Sequence, residues 1–324
     1  MTPQKKILIS GVKPTGRPHI GNYFGAMKQF VDLQEEYEAR IFIADFHALT
    51  TVQNAEELSR NTLDVALDYL AIGIHPSKAL LFKQSDVPEV CELGWIFNCI
   101  TTMPYLMRAH AFKDSEAKNS EINVGVFDYP LLMAADILIQ DADVVPVGLD
   151  QKQHIEYARD TAEKFNRIFG ETFKLPEALI LESVKTVPGT DGQKMSKSYG
   201  NTIGLFAEDD EIKKAVMGIP TNSQGVEEPK DPEADNVFAL HKLFADAETL
   251  ANLEKKYREG GIGYKESKDI LIENIKSFIA PLREKRKGIA QDETAVRKIL
   301  QEGGEKAREI TYKKMLDIRR KVGV

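Results

Sequence analysis

The stretch SGVKPTGRPHIGNYFGAMKQF runs from Ser10 to Phe30. The apolar run Lys6-Ile7-Leu8-Ile9-Ser10 leads into it as a strand, and a helical pattern from Phe24 to Leu33 leads out. Between them stand Pro14 and Pro18, three glycines, His19 and Asn22. The turn from a parallel strand into a helix is where doubly wound sheets take their ligands. Glycine there lets a ligand approach the backbone, and the first helical turn offers unpaired N–H groups to a phosphate. The stretch is not a Gly-x-Gly-x-x-Gly fingerprint. Taken alone it has a second reading: Pro and Gly are ordinary turn residues, and His19 can cap the helix.

Outward from this turn, short apolar runs alternate with amphipathic segments over the first two hundred residues. ILIS (7–10), RIFIADF (40–46), ALLFKQS (79–85), DVVPVG (143–148) and ALILES (178–183) have strand character. Helical patterns fall at 22–36, 55–72, 88–103, 131–139 and 150–169. This alternation predicts an α/β fold, a parallel sheet with helices on both faces. From about residue 208 the strand signal ends, and every following pattern is helical apart from the polar connector TNSQGVEEPKDPEAD (221–235). The expected order is an α/β domain over 1–205 and an all-α helical domain over 206–324.

Composition narrows the class. The chain has 324 residues, 42% hydrophobic and 29% charged, as in a soluble globular protein with room for two domains. No stretch reaches the apolar length of a membrane span. The N-terminus runs straight into a strand without a leader pattern, which makes the cytoplasm the expected location. Cys91 and Cys99 form no Cys-x-x-Cys pair, so no zinc or iron–sulfur site is expected. Two buried small hydrophobes are the simplest reading of them. The net charge is −7, but residues 281–324 hold thirteen Lys/Arg against seven Asp/Glu. That end is therefore +6 and the remaining 280 residues −13. Such an end suits a nucleic-acid surface, and equally an ordinary solvated helix.

A second glycine-flanked stretch, GTDGQKMSKSYGN (189–201), carries Lys194-Met195-Ser196-Lys197-Ser198. Two lysines three apart among hydroxyls suit a polyanion such as a triphosphate. Together, His-Ile-Gly-Asn at 19–22 and Lys-Met-Ser-Lys-Ser at 194–198 resemble the two signatures of the class I aminoacyl-tRNA synthetases. About 175 residues separate them, too few for a large editing insertion. Between them, YPLLMAADIL (129–138) and VPVGLDQKQH (145–154), with Arg159-Asp160 following, resemble the tryptophanyl-tRNA synthetases. ADFHALT (44–50) resembles the same family.

The resemblance implies a Rossmann-type doubly wound catalytic domain followed by a helical domain that recognises the anticodon end of tRNA. The implied reaction forms tryptophanyl-adenylate from L-tryptophan and ATP, releases pyrophosphate, and passes tryptophan to the 3′-terminal ribose of tRNA(Trp). Lys13, Pro14, Thr15, Gly16, His19, Gly21 and Asn22 match positions that hold ATP. So do Gly148, Asp150, Gln151, Lys194, Met195, Ser196 and Lys197. Ile9, His47, Tyr129, Met133, Asp136, Val145, Val147 and Gln151 match positions around tryptophan. Mg²⁺ is expected with the ATP, with few direct protein ligands. A homodimer is implied, with residues about 84–130 as its surface, though their apolar segment ELGWIFNCITTMPYL suits a core equally.

The pocket chemistry agrees. Indole offers a flat apolar face and one N–H, so a pocket that selects it needs one buried acceptor and little else polar. Asp136, seven residues after Tyr129 and three after Met133, shares a helix face with both. A carboxylate in an otherwise apolar helix is costly without a partner. Two positions depart from the family's pattern. Lys13 stands where glutamine is usual, and Ser115 stands where a second lysine usually follows Lys113. The expectation is that Lys13 supplies part of the triphosphate contact, with Lys113, Lys194, Ser196 and Lys197 as the other catalytic groups. Three rivals are weighed against this reading: a tyrosine enzyme, an RNA-binding relative without catalysis, and a nucleotidylyltransferase with only the His-x-Gly signature.

Overall fold

The computed structural model describes residues 5–108, 123–148, 152–180 and 187–324. The five apolar runs form one parallel sheet. Its strands are β1 (Ile7–Val12), β2 (Glu38–Ile43), β3 (Ala79–Lys83), β4 (Val144–Val147) and β5 (Glu177–Ile180), ordered β3-β2-β1-β4-β5. β1 runs in register with β2 from Ile7 opposite Glu38 to Val12 opposite Ile43, and meets β4 at Leu8 and Val144. The strand order reverses between β1 and β4, so the carboxyl ends of these two strands are the natural binding crevice. β2 is buried at five successive positions, as a parallel strand covered on both faces must be. Its one charged member inside, Arg40, donates to Gln140 O at 2.7 Å, to Gln140 Oε1 at 3.0 Å and to Glu38. Those acceptors are what let a guanidinium sit in the core.

The helices around the sheet are α1 (Ile20–Asn22), a π-helical turn (Tyr23–Met27), α2 (Lys28–Glu36), α3 (Asp45–Ala48) and α4 (Ala55–Ile72). After β3 come a 3₁₀ turn (Gln84–Asp86), α5 (Glu89–Ile100), α6 (Met103–Leu106), α7 (Val124–Ile139) and α8 (Lys152–Phe169). The rest are α9 (Asp209–Met217), α10 (Asn236–Phe244), α11 (Ala247–Glu259), α12 (Tyr264–Ala290) and α13 (Glu293–Val322). α7 begins seven residues before the pattern at 131–139. Asn123 starts it, its side chain accepting from Val126 N, and Pro130 lies inside it. A helix this apolar has no polar stripe to mark its beginning.

The chain divides into two compact units, at places other than residue 205. The sheet unit is Met1–Gly16, Phe30–Glu182 and Asp292–Val324; the helical unit is Arg17–Gln29 and Ser183–Gln291. The last helix therefore belongs to the sheet unit. α13 can lie against β3 because Gly303 has no side chain: a Cβ there would overlap the Leu81 carbonyl oxygen. Val296, Leu300, Ala307, Thr311, Met315 and Ile318 bury the same face. Its basic residues find acceptors in the unit: Arg308 on Glu89 at 3.0 Å, Lys314 on Asp141 at 2.7 Å, and Arg319 on Glu92 at 2.7 and 2.6 Å. Lys321 donates to Thr172 Oγ1 at 2.8 Å. Much of the +6 of the C-terminal segment is thus matched inside the fold.

In the helical unit Phe238, Leu253, Tyr257 and Ile262 form a small core. Tyr23 and Phe24, directly after Asn22, stack with Phe244 and Phe278 at ring distances of 5.2–5.5 Å. Cys91 and Cys99 are exposed and unbridged, not buried as expected. α5 turns Val90, Leu93, Gly94 and Phe97 inward, which leaves Cys91, Trp95 and Cys99 on the opposite side.

Candidate active site

In the sheet unit, α3 follows β2, the 3₁₀ turn follows β3, and α7 precedes β4. These elements converge on Asp136, 3% exposed on α7. His47 Nε2 lies 3.0 Å from its Oδ2, and Gln84 Nε2 lies 2.9 Å from both carboxylate oxygens. An ionised carboxylate only accepts, so against ionised Asp136 the His47 ring donates from Nε2. Burial pushes the Asp136 carboxyl above the ordinary range, and the His47 and Gln84 bonds pull against that. The His47 ring meets the Tyr129 ring edge-on at 6.3 Å, and Tyr129 Oη lies 2.9 Å from His154 Nε2. Ile9 and Val145 belong to the buried cluster that contains Ala134, Ala135 and Ile137, with Met133 and Val147 half-buried against it. The result, among the described residues, is a buried carboxylate beside an apolar cluster, met by the segments that follow β2 and β3.

Lys13 extends from the end of β1 and donates to Thr50 Oγ1 at 3.2 Å; partial burial lowers its ammonium pKa. Pro14 is buried, and Thr15, Gly16 and Gly148 lie at strand ends in the same unit. Lys113, Asp150 and Gln151 lie outside the described residues.

The helical unit holds both signatures. Ile20 N donates to Ile203 O and Leu205 N to Pro18 O, each at 3.0 Å, so the segment at 17–22 is laced to the segment after the Lys-Met-Ser-Lys-Ser loop. Asn22 closes its own turn by accepting from His19 N at 3.0 Å. A Cβ on Gly21 would lie 2.8 Å from His19 Nδ1 and 3.2 Å from Met195 Cβ, so glycine is what lets the signatures meet. His19 is buried, and its Nδ1 has no hydrogen-bond partner among the described residues. Burial first, and then the Lys197 charge, lower the imidazole pKa to about 4, so the ring is neutral at pH 7.

The loop owes its shape to Asn201, 2% exposed. Its Oδ1 accepts from Ser196 N at 2.8 Å, and its Nδ2 donates to Asp191 Oδ1 at 2.7 Å and to Lys194 O at 3.2 Å. Met195 is buried beneath, while Lys194 and Lys197 stay exposed on this fixed backbone, as an anion site requires. No three His, Cys, Asp or Glu among the described residues are placed to hold a metal ion.

Each unit thus brings together its own share of the expected residues. Gln84 was missed by the sequence reading, as was Asp45, whose carboxylate takes Ser85 N at 2.9 Å and Ser85 Oγ at 2.5 Å. The available signal was weak: a polar residue ending the apolar run ALLFKQS, at the carboxyl end of a parallel strand. Asn201 was equally hidden inside the loop motif.

A sheet of this order, with an acceptor pocket in one unit and two phosphate-type signatures in the other, defines a class I synthetase architecture. The family model described as tRNA synthetases class I (W and Y) matches residues 2–280, and the chain belongs to that family. Its relatives include a tryptophan–tRNA ligase of Rhodopirellula baltica, 51% identical over 98% of this chain and 99% of that protein. A tryptophan–tRNA ligase of Fusobacterium nucleatum is 49% identical over 98% and 97%. The crystal structure of a Campylobacter jejuni tryptophanyl-tRNA synthetase complexed with ADP and tryptophan superposes with a TM-score of 0.93. It is 46% identical and covers 98% of this chain and 100% of its own.

Proposed function

We propose that the protein is a tryptophan–tRNA ligase that forms tryptophanyl-adenylate with ATP and then charges tRNA(Trp). The observation that carries this reading is the Asp136 carboxylate, buried beside an apolar cluster, which suits a flat ring with one N–H. The tryptophan carboxylate attacks the α-phosphorus of ATP in line, and the bond to the pyrophosphate oxygen breaks as the new P–O bond forms. Catalysis is then positioning and charge stabilisation. Lys194, Ser196 and Lys197 are assigned to the departing pyrophosphate. His19, Gly21 and Asn22, with Pro14, Thr15, Gly16 and Gly148, are assigned to the nucleotide. Lys13 is assigned part of the triphosphate contact, supported by its place at the end of β1. Mg²⁺ arrives with the ATP.

The same reading places the protein in the cytoplasm and assigns tRNA to the helices after residue 206, helped by the basic face of α13. It assigns a homodimer contact to the stretch about 84–130. What supports that contact is the exposed apolar set of Trp95, Met103, Met107 and Val124 with Cys91 and Cys99. Among the described residues no helix is long and apolar enough to cross a membrane. ATP–pyrophosphate exchange measured with each of the twenty amino acids tests the central claim. Tryptophan alone should support rapid exchange; equal exchange with tyrosine, or none with any, removes the reading. Lys13→Gln should raise the ATP KM or slow activation, and an unchanged variant takes Lys13 out of the site.

A further inference from the structure

We propose that Gln84 sets the selectivity of the tryptophan pocket, acting as a positioning residue that holds Asp136 with one carboxylate lone pair open to the ligand. The inference rests on Asp136 as the indole acceptor. Gln84 is 1% exposed. Its amide orientation is forced. Gln84 Oε1 lies 3.2 Å from His47 N, a backbone group that can only donate, so the NH₂ end must face Asp136. There it reaches Oδ1 and Oδ2 at 2.9 Å each. His47 Nε2 takes Oδ2 as well, at 3.0 Å. One Gln84 N–H points between the two oxygens and is shared by them, and His47 adds a second donor on Oδ2, so among the described residues Oδ1 is the less filled oxygen. The ligand N–H belongs on Oδ1. A ring with no donor leaves that oxygen buried and under-filled, which is the source of discrimination against phenylalanine.

Gln84 does this without bringing a charge into the pocket. Among the described residues the ionisable groups that bear on Asp136 are His47 and Asp45 from α3, and the charge of Asp136 is felt in turn by Cys91 of α5; Asp128 on α7 feels His47, whose ring meets Tyr129, itself bonded to His154 on α8. Asp45 and burial oppose ionisation of Asp136, and the donors from His47 and Gln84 favour it. The turn that carries Gln84 is held in place from its other side by the Ser85–Asp45 bonds, two residues before His47. One clamp thus sets both donors.

The test uses the full-length protein in tryptophan-dependent pyrophosphate exchange across pH. Gln84→Met keeps the length and removes the donors. The tryptophan KM should rise about tenfold or more, the size expected for one bond to a charged group. The ATP KM and kcat should change less than about twofold, and the acid limb of kcat/KM for tryptophan should move to higher pH. Gln84→Glu keeps the shape but donates only when protonated, so its tryptophan affinity should fall as pH rises. A folded Gln84→Met with unchanged tryptophan KM and an unmoved limb overturns the proposal. Should that variant fail to fold, pH-independent tryptophan binding by Gln84→Glu overturns it as well. Asp136→Asn in the same assay separates the layers. If Asp136→Asn binds tryptophan normally, the pocket reading itself is wrong. If it weakens binding while both Gln84 variants do not, only the role of Gln84 falls.

Discussion

Asp136, proposed above as the indole acceptor, is costly to the fold. Burial raises its carboxyl, so folding favours the neutral acid. The sign follows: its contribution to stability is full below the ordinary carboxylate value of about 3.9 and is lost as pH rises through the raised folded value. Asp136→Asn should therefore melt no lower than the parent at neutral pH, with a flatter dependence of Tm on pH in the acid range. The same variant should lose about 1.5–3 kcal/mol of tryptophan binding, the range for a hydrogen bond to a charged group. Calorimetry and tryptophan titration check the two halves, and a lower Tm with normal affinity would reverse both. His19 carries the opposite sign. With its pKa lowered from 6.5 to about 4, the neutral ring's contribution is present above 6.5 and lost as pH falls towards 4. His19→Asn should lower the exchange rate without shifting any limb of its profile between pH 6 and 8. A limb near 6.5 that vanishes in the variant would show that His19 titrates in the working range.

Two elements make sharper claims. The Lys-Met-Ser-Lys-Ser loop is held by Asn201 and the buried Met195, so its exposed lysines can be cut back without loss of shape. Lys194→Ala and Lys197→Ala should each slow adenylate formation on the order of a hundredfold while tryptophan Kd stays near that of the parent, because their charge matters most as pyrophosphate leaves. Rapid-quench kinetics against equilibrium binding checks this, and equal damage to both would indicate a collapsed loop. α13 depends on Gly303 at its closest approach to β3. Gly303→Ala should destabilise by about 1–3 kcal/mol despite the better helix propensity of alanine, since the added methyl has only the Leu81 carbonyl to meet. Leu81 lies three residues before Gln84, so tryptophan affinity should fall with it. A stabilised variant would mean that the helix can shift freely.

Across the whole molecule, the two faces of the last helix can be tested apart. Its inner face completes the core of the sheet unit, and a chain ending at Gln291 should lose its cooperative melt. A truncated chain that melts as the parent does would show α13 to be an accessory. The outer face carries Lys298, Lys313 and Arg320, whose side chains are 74%, 71% and 79% exposed and, among the described residues, paired along their own helix. Such pairs add little to stability, so these three can be neutralised together without harm to the fold. Neutralisation should weaken tRNA binding and flatten its salt dependence while tryptophan-dependent exchange continues. An unchanged salt slope would take α13 out of the tRNA surface. Arg319 and Lys321 are poor targets for this experiment, because they tie α13 to Glu92 and Thr172.

The local rules of the chain were enough to place the strands, to order sheet before helices, and to mark His19, Asp136 and Lys194 to Lys197 as candidates whose roles the family resemblance implies. Each of these is a short-range matter: apolar periodicity, turn chemistry, or a motif whose spacing carries its function. Three decisions were not local. α13 reads as one more helix after a run of helices, and only its contacts with the sheet unit, the close approach of Gly303 to β3 and the bonds of Arg308, Lys314 and Arg319, show that it returns there. The stretch from Arg17 to Gln29 follows β1 in the chain, yet hydrogen bonds to Pro18 and Ile20 and the rings of Tyr23 and Phe24 place it with the helical unit. Gln84 is 52 residues from Asp136, and nothing in its neighbours marks it as the donor to a buried carboxylate. Periodicity tells a helix which face to bury but not against what, and a hydrogen bond between distant residues exists only once the chain has closed around it.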